Sequence, residues 1–293
     1  MDLKRWQWYN LHHSVYCGRM CMRFRVNGQR AGFSLIELSI VLVILGLLAG
    51  GVLSGQSLIR AAELRSVSQD ISRFNTAIYS FRDKYMALPG DMANAQTFWP
   101  GGTLCAPGDK AGTGVCNGDG NGQIMPSSAS VAGDVPDEIF QFWLHLAKAG
   151  LIEGSYTGRA GPSSTASGRG AVPGSNAPRG RIANTGYSVE YWGNQSGSSI
   201  TWNGNYGNAY IFGGAQSVNP PETEVLKPEE AWNIDKKLDD GMPSTGFITT
   251  FFRYSYNPHK LTDHCTDGDG DGTANYNLIS SSVVCNLMIK TGF

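Results

Sequence analysis

Histidine is scarce in this chain, with five among 293 residues. His12 and His13 fall near the start, and His145, His259 and His264 are scattered through the rest. The sequence has no Gly-x-Ser-x-Gly elbow, no His-Glu-x-x-His pair and no phosphate loop, so the commonest hydrolase, metalloprotease and nucleotide-binding chemistries lack their residues. Paired acids such as Asp239 and Asp240 are adjacent in sequence and point apart on a helix, which is poor geometry for acid/base work. The expectation is therefore a protein that is not an enzyme. An excess of charge of one sign is missing too: 23 basic residues stand against 24 acidic ones, which argues against nucleic-acid binding by simple electrostatics. The six cysteines include no C-x2-C pair, which argues against zinc.

What is present is one long apolar run. From Phe33 to Leu53 there are 21 residues, and Glu37 is the only charged one among them. About 20 apolar residues span a bilayer as a helix. An ionisable side chain inside such a span costs roughly 2.5–3.5 kcal/mol on insertion scales and marks a functional position. A basic stretch precedes the run: residues 1–32 hold Lys4, Arg5, Arg19, Arg23, Arg25 and Arg30 against Asp2 alone. Basic residues beside a span keep that side cytoplasmic.

The string Gly32-Phe33-Ser34-Leu35-Ile36-Glu37 and the apolar residues after it resemble the class III signal of type IV pilins and type II secretion pseudopilins. The resemblance implies a prepilin peptidase that cuts between Gly32 and Phe33 and N-methylation of the new Phe33 amine. It implies that Glu37 binds the Phe33 amine of a neighbouring subunit during filament assembly. It also implies a single-pass protein of the bacterial inner membrane, periplasmic at its C-terminal domain, that passes into a pilus or pseudopilus. Physics supports the Glu37 role, since a buried carboxylate needs a cationic partner. The cut precedes the apolar region, unlike that of a conventional secretory signal. Met20 and Met22 are alternative starts that leave a short basic leader, and Cys17 and Cys21 lie on the cytoplasmic side. Without residues 1–32, 17 basic residues face 23 acidic ones. The mature chain is thus mildly acidic.

Beyond Ser54, apolar residues fall at Leu64, Val67, Ile71, Phe74, Ile78, Phe81 and Tyr85. Alternating steps of three and four define an amphipathic helix, which Pro89 and Gly90 close. The expected organisation is a leader at 1–32, a helix at 33–88 with a membrane-spanning half and an amphipathic half, and a globular domain at 89–293. In the domain, Asp134–Glu138 reads as a helix start. Ile139, Phe142, Trp143 and Leu146 mark that helix's buried face, with His145 on its polar face. Gly158–Arg181 reads as a surface loop or flexible insertion. Tyr187–Trp192, Ser199–Trp202, Ala209–Phe212, Phe247–Tyr254 and Ser282–Met288 read as strands, and Pro228–Leu238 as a helix. The fold class is α+β, a long N-terminal helix packed on a domain with an antiparallel sheet. Leu88–Asp91 and Ile234–Gly246 resemble segments of large pilin-like proteins.

Four cysteines remain after the cut and permit three pairings. The local pairs Cys105–Cys116 and Cys265–Cys285 are expected, since each brackets a loop. Two acidic loops read either as calcium sites or as solvated Asp/Gly turns. Asp267, Asp269 and Asp271 alternate with glycines, and Asn275 or Asn277 adds an oxygen, as in the first half of an EF-hand loop. Leu278 stands where that loop carries Glu, so this is not an EF-hand. Asn117, Asp119 and Asn121 form a weaker version with one carboxylate. His264 and Asp263 adjoin the first loop. Affinity of about 10⁻⁴–10⁻³ M is expected, as in extracellular modules. The expected function is that of a structural subunit, minor or large, of a type IV pilus or type II secretion pseudopilus. A pilus class leaves a role in DNA uptake open. The alternative is a membrane-anchored binding module, with Trp192, Trp202, Tyr206 and Tyr210 as a glycan platform, although a core or sheet-packing role accounts for the same residues.

Overall fold

The computed structural model describes residues 32–103, 105, 114–126, 137–161, 170–198, 200–216, 219–251, 264–267 and 273–293. The leader up to residue 31 with Cys17 and Cys21, the Asp134–Pro136 helix start, His259, Asp263, Asp269 and Asp271 lie outside these residues. The chain divides into two units, one ending at Leu53 and the other running from Ser54 to Phe293.

Helix α1 spans Leu35–Tyr85, 51 residues. Up to Leu53 its apolar side chains are exposed on every side, and this stretch is long and apolar enough to cross a membrane. In the second unit α1 becomes amphipathic as the spacing dictates. Val67, Ile71, Phe74, Ile78 and Phe81 are buried, with Leu64 and Tyr85 packed at the ends of the seam. The helix ends because Met86 turns left-handed at φ 53° while its N–H still reaches the Arg82 carbonyl at 2.8 Å.

The seam packs on a four-stranded sheet. Strands β1 (Thr185–Tyr191) and β4 (Asn208–Gly214) pair antiparallel, and β4 then pairs with β6 (Leu287–Lys290), which pairs with β5 (Ile248–Thr249). Successive side chains of a strand alternate between faces. Tyr187, Val189, Tyr210, Phe212, Leu287 and Ile289 accordingly join the main core, while Ala209, Ile211 and Met288 pack with Tyr206 and Phe251 on the other side. Phe74 sits at the hub, 5.0 Å from the Trp143 ring and 5.1 Å from Tyr187, both edge-on. Tyr187 and Tyr210 donate their hydroxyls to Asp70 and Asn75 of α1, each at 3.2 Å. Arg60 fastens the start of this half of α1. Its Nε and Nη2 meet the two Glu230 oxygens at 2.6 and 2.7 Å, and Nη2 reaches the Val225 carbonyl at 3.1 Å.

Helix α2 (Ala95–Phe98) is a single turn that the sequence pattern did not foretell. Helix α3 (Glu138–Lys148) begins one residue after its cap, Asp137, which accepts the Ile139 N–H at 3.1 Å. Gly150, at φ 72°, closes α3. His145 is a correction, because it is 0 % exposed. Burial extends around α3 to Phe140, Gln141 and Leu144, so the polar stripe that His145 shares with Gln141 is itself covered. Helix α4 (Pro228–Leu238) matches its expected bounds.

Among the described residues Ile200–Trp202 form no strand, and the two-stranded ribbon is instead β2 (Asn194–Gln195) with β3 (Gly204–Asn205). Strands β5 and β6 begin later than their apolar runs. The described parts of Gly158–Arg181 are not a surface loop either. Ala160, Ala171 and Ala177 are buried, and Asn176 donates to the Arg159 and Gly170 carbonyls at 2.9 Å each. Both expected disulfides form, with Cα–Cα distances of 5.5 Å for Cys105–Cys116 and 5.1 Å for Cys265–Cys285.

Candidate functional site

The first candidate site is the start of α1. Gly32 and Phe33 precede the helix, and Phe33 is 89 % exposed. Ser34 is its cap. The Ile36 N–H donates to Ser34 Oγ at 3.3 Å, the Ser34 N–H donates to Glu37 Oε2 at 2.9 Å, and the Leu38 N–H closes the first turn on the Ser34 carbonyl at 3.2 Å. This is the Glu half of a capping box: Glu37, at N3, satisfies the Ser34 N–H, while the Ser34 hydroxyl takes the N–H of Ile36 rather than that of Glu37. The Ser34-x-x-Glu37 spacing is itself a helix-start signature in the sequence. Glu37 therefore has a partner within its own chain, one residue from the amine that cleavage would create.

The second site lies in the domain. The loop 117–125 folds back onto Asp91, which follows the Pro89-Gly90 turn. Asp91 Oδ1 accepts the N–H groups of Gly120 and Asn121 at 2.7 and 3.0 Å, and Oδ2 accepts that of Gly122 at 2.9 Å. Glu138, in the first turn of α3, accepts the Asp119 and Met125 N–H groups at 3.1 and 3.0 Å. Gly118 is required here, because a Cβ would stand 2.4 Å from the Asp91 Cα. Oxygens of Asp91, Asp119 and Glu138 lie within 4.8 Å of one another. Burial pushes the Glu138 carboxyl up to about 7, with the Asp119 and Asp91 charges adding to the rise. Burial raises Asp91 as well.

Asp119 thus reaches a cluster, though with partners other than those expected. Asn117 Oδ1 accepts the Gln96 N–H at 2.9 Å, and the Asn121 amide donates to Asp119 at 2.7 Å. Asp91 and Glu138, remote in sequence, take their places. An all-carboxylate donor set suits a hard divalent cation rather than zinc. The same carboxylates also hold the loop's backbone, and those bonds alone account for its shape.

The Asp267 loop reads differently. Asp267 accepts the Asn275 backbone N–H at 2.6 Å and its side-chain amide at 3.2 Å. Asn275 thus presents its donor end to Asp267, and the Asn277 amide donates to the His264 carbonyl at 3.3 Å. Among the described residues these bonds close a ladder beside the Cys265–Cys285 bridge, and Asp269 and Asp271, which complete the expected ligand set, lie outside the described residues. A third group was not foreseen. Asp235, Asp239 and Asp240 bring oxygens within 4.8 Å of one another. Asp239 and Asp240 converge because the chain leaves α4 at Asp239, so the helical argument that they point apart fails. Burial pushes Asp235 up to about 7, against the Tyr276 hydroxyl that donates to it at 2.8 Å. Asp240 accepts from Met242 and Thr245 at 2.8 and 2.7 Å, and Asp239 accepts the N–H groups of Phe247 and Ile248. These acids pin β5 to the end of α4. The aromatic platform is not exposed: Trp202, Tyr206 and Tyr210 are buried and Trp192 is half-buried against Phe251.

Comparison with known proteins agrees with the first site. Residues 27–53 match the prokaryotic N-terminal methylation motif, the prepilin-type cleavage and methylation segment of type IV pilins and pseudopilins. No curated protein and no solved structure matches the chain.

Proposed function

We propose that this chain is a filament subunit, of type IV pilus or type II secretion pseudopilus class, that acts by assembly and not by catalysis. One observation carries the reading: the methylation motif at 27–53 opens a helix whose apolar residues to Leu53 are exposed on every side. Such a surface requires a bilayer or other copies of itself. The cut falls between Gly32 and Phe33, the segment Phe33–Leu53 anchors the chain in the inner membrane until assembly, and Glu37 answers the Phe33 amine of a neighbour. The size of the domain supports a minor or large subunit. Calcium belongs to this reading as a ligand of the acidic loop at Asp119, now with Asp91 and Glu138.

The test is intact mass and N-terminal sequencing of the protein from native membranes and from sheared surface filaments. An N-methylated Phe33 terminus in the sheared fraction supports a pilus subunit. Processed protein confined to membranes supports a pseudopilin. An uncut leader in cells with an active prepilin peptidase overturns the reading.

A further inference from the structure

The two ends of the Cys105–Cys116 bridge differ. Cys105 is half-buried, while Cys116 is 1 % exposed. Beside the buried sulfur stands Arg159, itself buried, whose Nη2 reaches Cys116 Sγ at 4.0 Å and donates to the Thr103 carbonyl at 2.9 Å. The outer sulfur faces a neutral group instead, with the Gln96 side-chain amide 3.5 Å from Cys105 Sγ. The Cys116 backbone is pinned independently of the bridge. Its N–H donates to Gln141 Oε1 at 2.9 Å, and its carbonyl lies 3.1 Å from His145 Nε2. These bonds hold Cys116 beside Arg159 when the bridge opens. The other bridge has no half-exposed end, since Cys265 and Cys285 are both buried.

We propose that Cys105–Cys116 is a thiol–disulfide exchange site for a dithiol, attacked at Cys105 and left by Cys116. Exchange depends on which sulfur can be reached and is faster when the leaving thiolate is better stabilised. A neighbouring guanidinium stabilises a thiolate, and burial strengthens that attraction. One thiolate of the dithiol attacks Cys105 Sγ and forms a mixed disulfide. The Cys105–Cys116 bond breaks, and Cys116 leaves with the electron pair as a thiolate against Arg159. The second thiol of the dithiol then loses its proton, attacks its partner sulfur in the mixed disulfide and displaces Cys105, which takes up that proton. The bridge gains two electrons, and the dithiol departs as a disulfide. Reduction frees Cys105 from the residue just before the Asn117–Gly122 loop, so the exchange bears on the acidic site at Asp91.

The experiment treats the full-length chain in detergent micelles with dithiothreitol and, separately, with reduced glutathione, which forms the mixed disulfide but has no second thiol of its own to resolve it. Samples are quenched in acid and their disulfide peptides mapped by mass spectrometry. Glutathione is expected on Cys105 about tenfold over Cys116, and dithiothreitol is expected to open Cys105–Cys116 about tenfold faster than Cys265–Cys285. Arg159→Gln should slow that opening about tenfold, and Arg159→Lys, which keeps a cation, should restore most of it. The Cys265–Cys285 rate reports whether each variant is folded. Glutathione on Cys116, or shared evenly between the two, overturns the direction of attack. Equal opening of the two bridges overturns the site. A folded Arg159→Gln chain that opens at the wild-type rate overturns the part given to the guanidinium. Should that variant not fold, the glutathione map of the wild type decides alone.

Discussion

His145 should make this protein sensitive to mild acid, and the effect can be worked out in advance. The imidazole is 0 % exposed, accepts the Gly90 N–H on Nδ1 at 2.9 Å, and lies with Nε2 3.1 Å from the Cys116 carbonyl. Those two contacts assign the neutral tautomer with its proton on Nε2. Burial pushes the folded pKa down to about 4, against 6.5 for the free side chain. Between those values the unfolded chain binds a proton that the folded chain refuses. The neutral histidine's contribution is therefore complete above pH 6.5 and is lost as pH falls toward 4. At 1.36 kcal/mol per unit the loss comes to about 3 kcal/mol. Glu138 and Asp235 act in the opposite sense. Their folded values near 7 lie above their unfolded ones, so the folded chain takes up protons first and gains stability on acidification. A His145→Gln variant keeps these carboxylates and removes the titrating ring. Urea unfolding of both full-length proteins in detergent micelles, from pH 8 to pH 4 with disulfides intact, should show the difference in stability between them shrinking by about 3 kcal/mol as the wild type weakens. Parallel curves across that range would refute the assignment of a buried, neutral His145.

Arg60→Ala removes the bidentate partner of Glu230 and should cost about 2 kcal/mol, because a largely buried carboxylate loses its counter-charge; a urea midpoint unchanged from wild type would count against the clamp. Met86→Gly should add about 1 kcal/mol, since Met86 is left-handed and 87 % exposed and so loses strain without losing packing. Calcium at 10 mM, with a dissociation constant of about 1 mM, should contribute about 1.4 kcal/mol and raise the melting temperature by about 3–5 °C. Asp119→Asn should abolish that rise, and a wild type melting identically in calcium and in chelator would remove calcium from the reading.

The sequence carried the helices further than the sheet. Val67 to Phe81 announced their seam because each apolar position repeats one helical turn after the last, and Pro228–Leu238 carried its own proline start and aspartate stop. Strand ends were harder. Ile248–Thr249 is two residues long inside a longer apolar run, and its limit is set by Asp239 capturing the Phe247 and Ile248 N–H groups, a contact made from the far side of a turn. The acidic site failed for the same reason. Asn117, Asp119 and Asn121 were legible as a loop, but Asp91 and Glu138 stand 28 residues before and 19 residues after Asp119, and only packing of α3 against the Pro89-Gly90 turn brings them together. The burial of His145 was not legible because the polar stripe it shares with Gln141 is covered by the rest of the domain, which a pattern of one apolar face does not reveal.

The half capping box at Ser34 changes how a familiar kind of experiment reads. Glu37→Ala removes a negative charge and, at the same time, the acceptor that holds the Ser34 N–H. Failed assembly in that variant would confound electrostatics with a frayed helix end. Glu37→Gln separates the two, since glutamine also completes a capping box. Retention of filaments with Gln and loss with Ala would assign the residue's importance to the shape of the first turn. Loss with both would assign it to the charge. The box also lies entirely on the mature side of the cut, so trimming the leader leaves the first turn's internal bonds in place while exchanging a neutral amide for a cation one residue away.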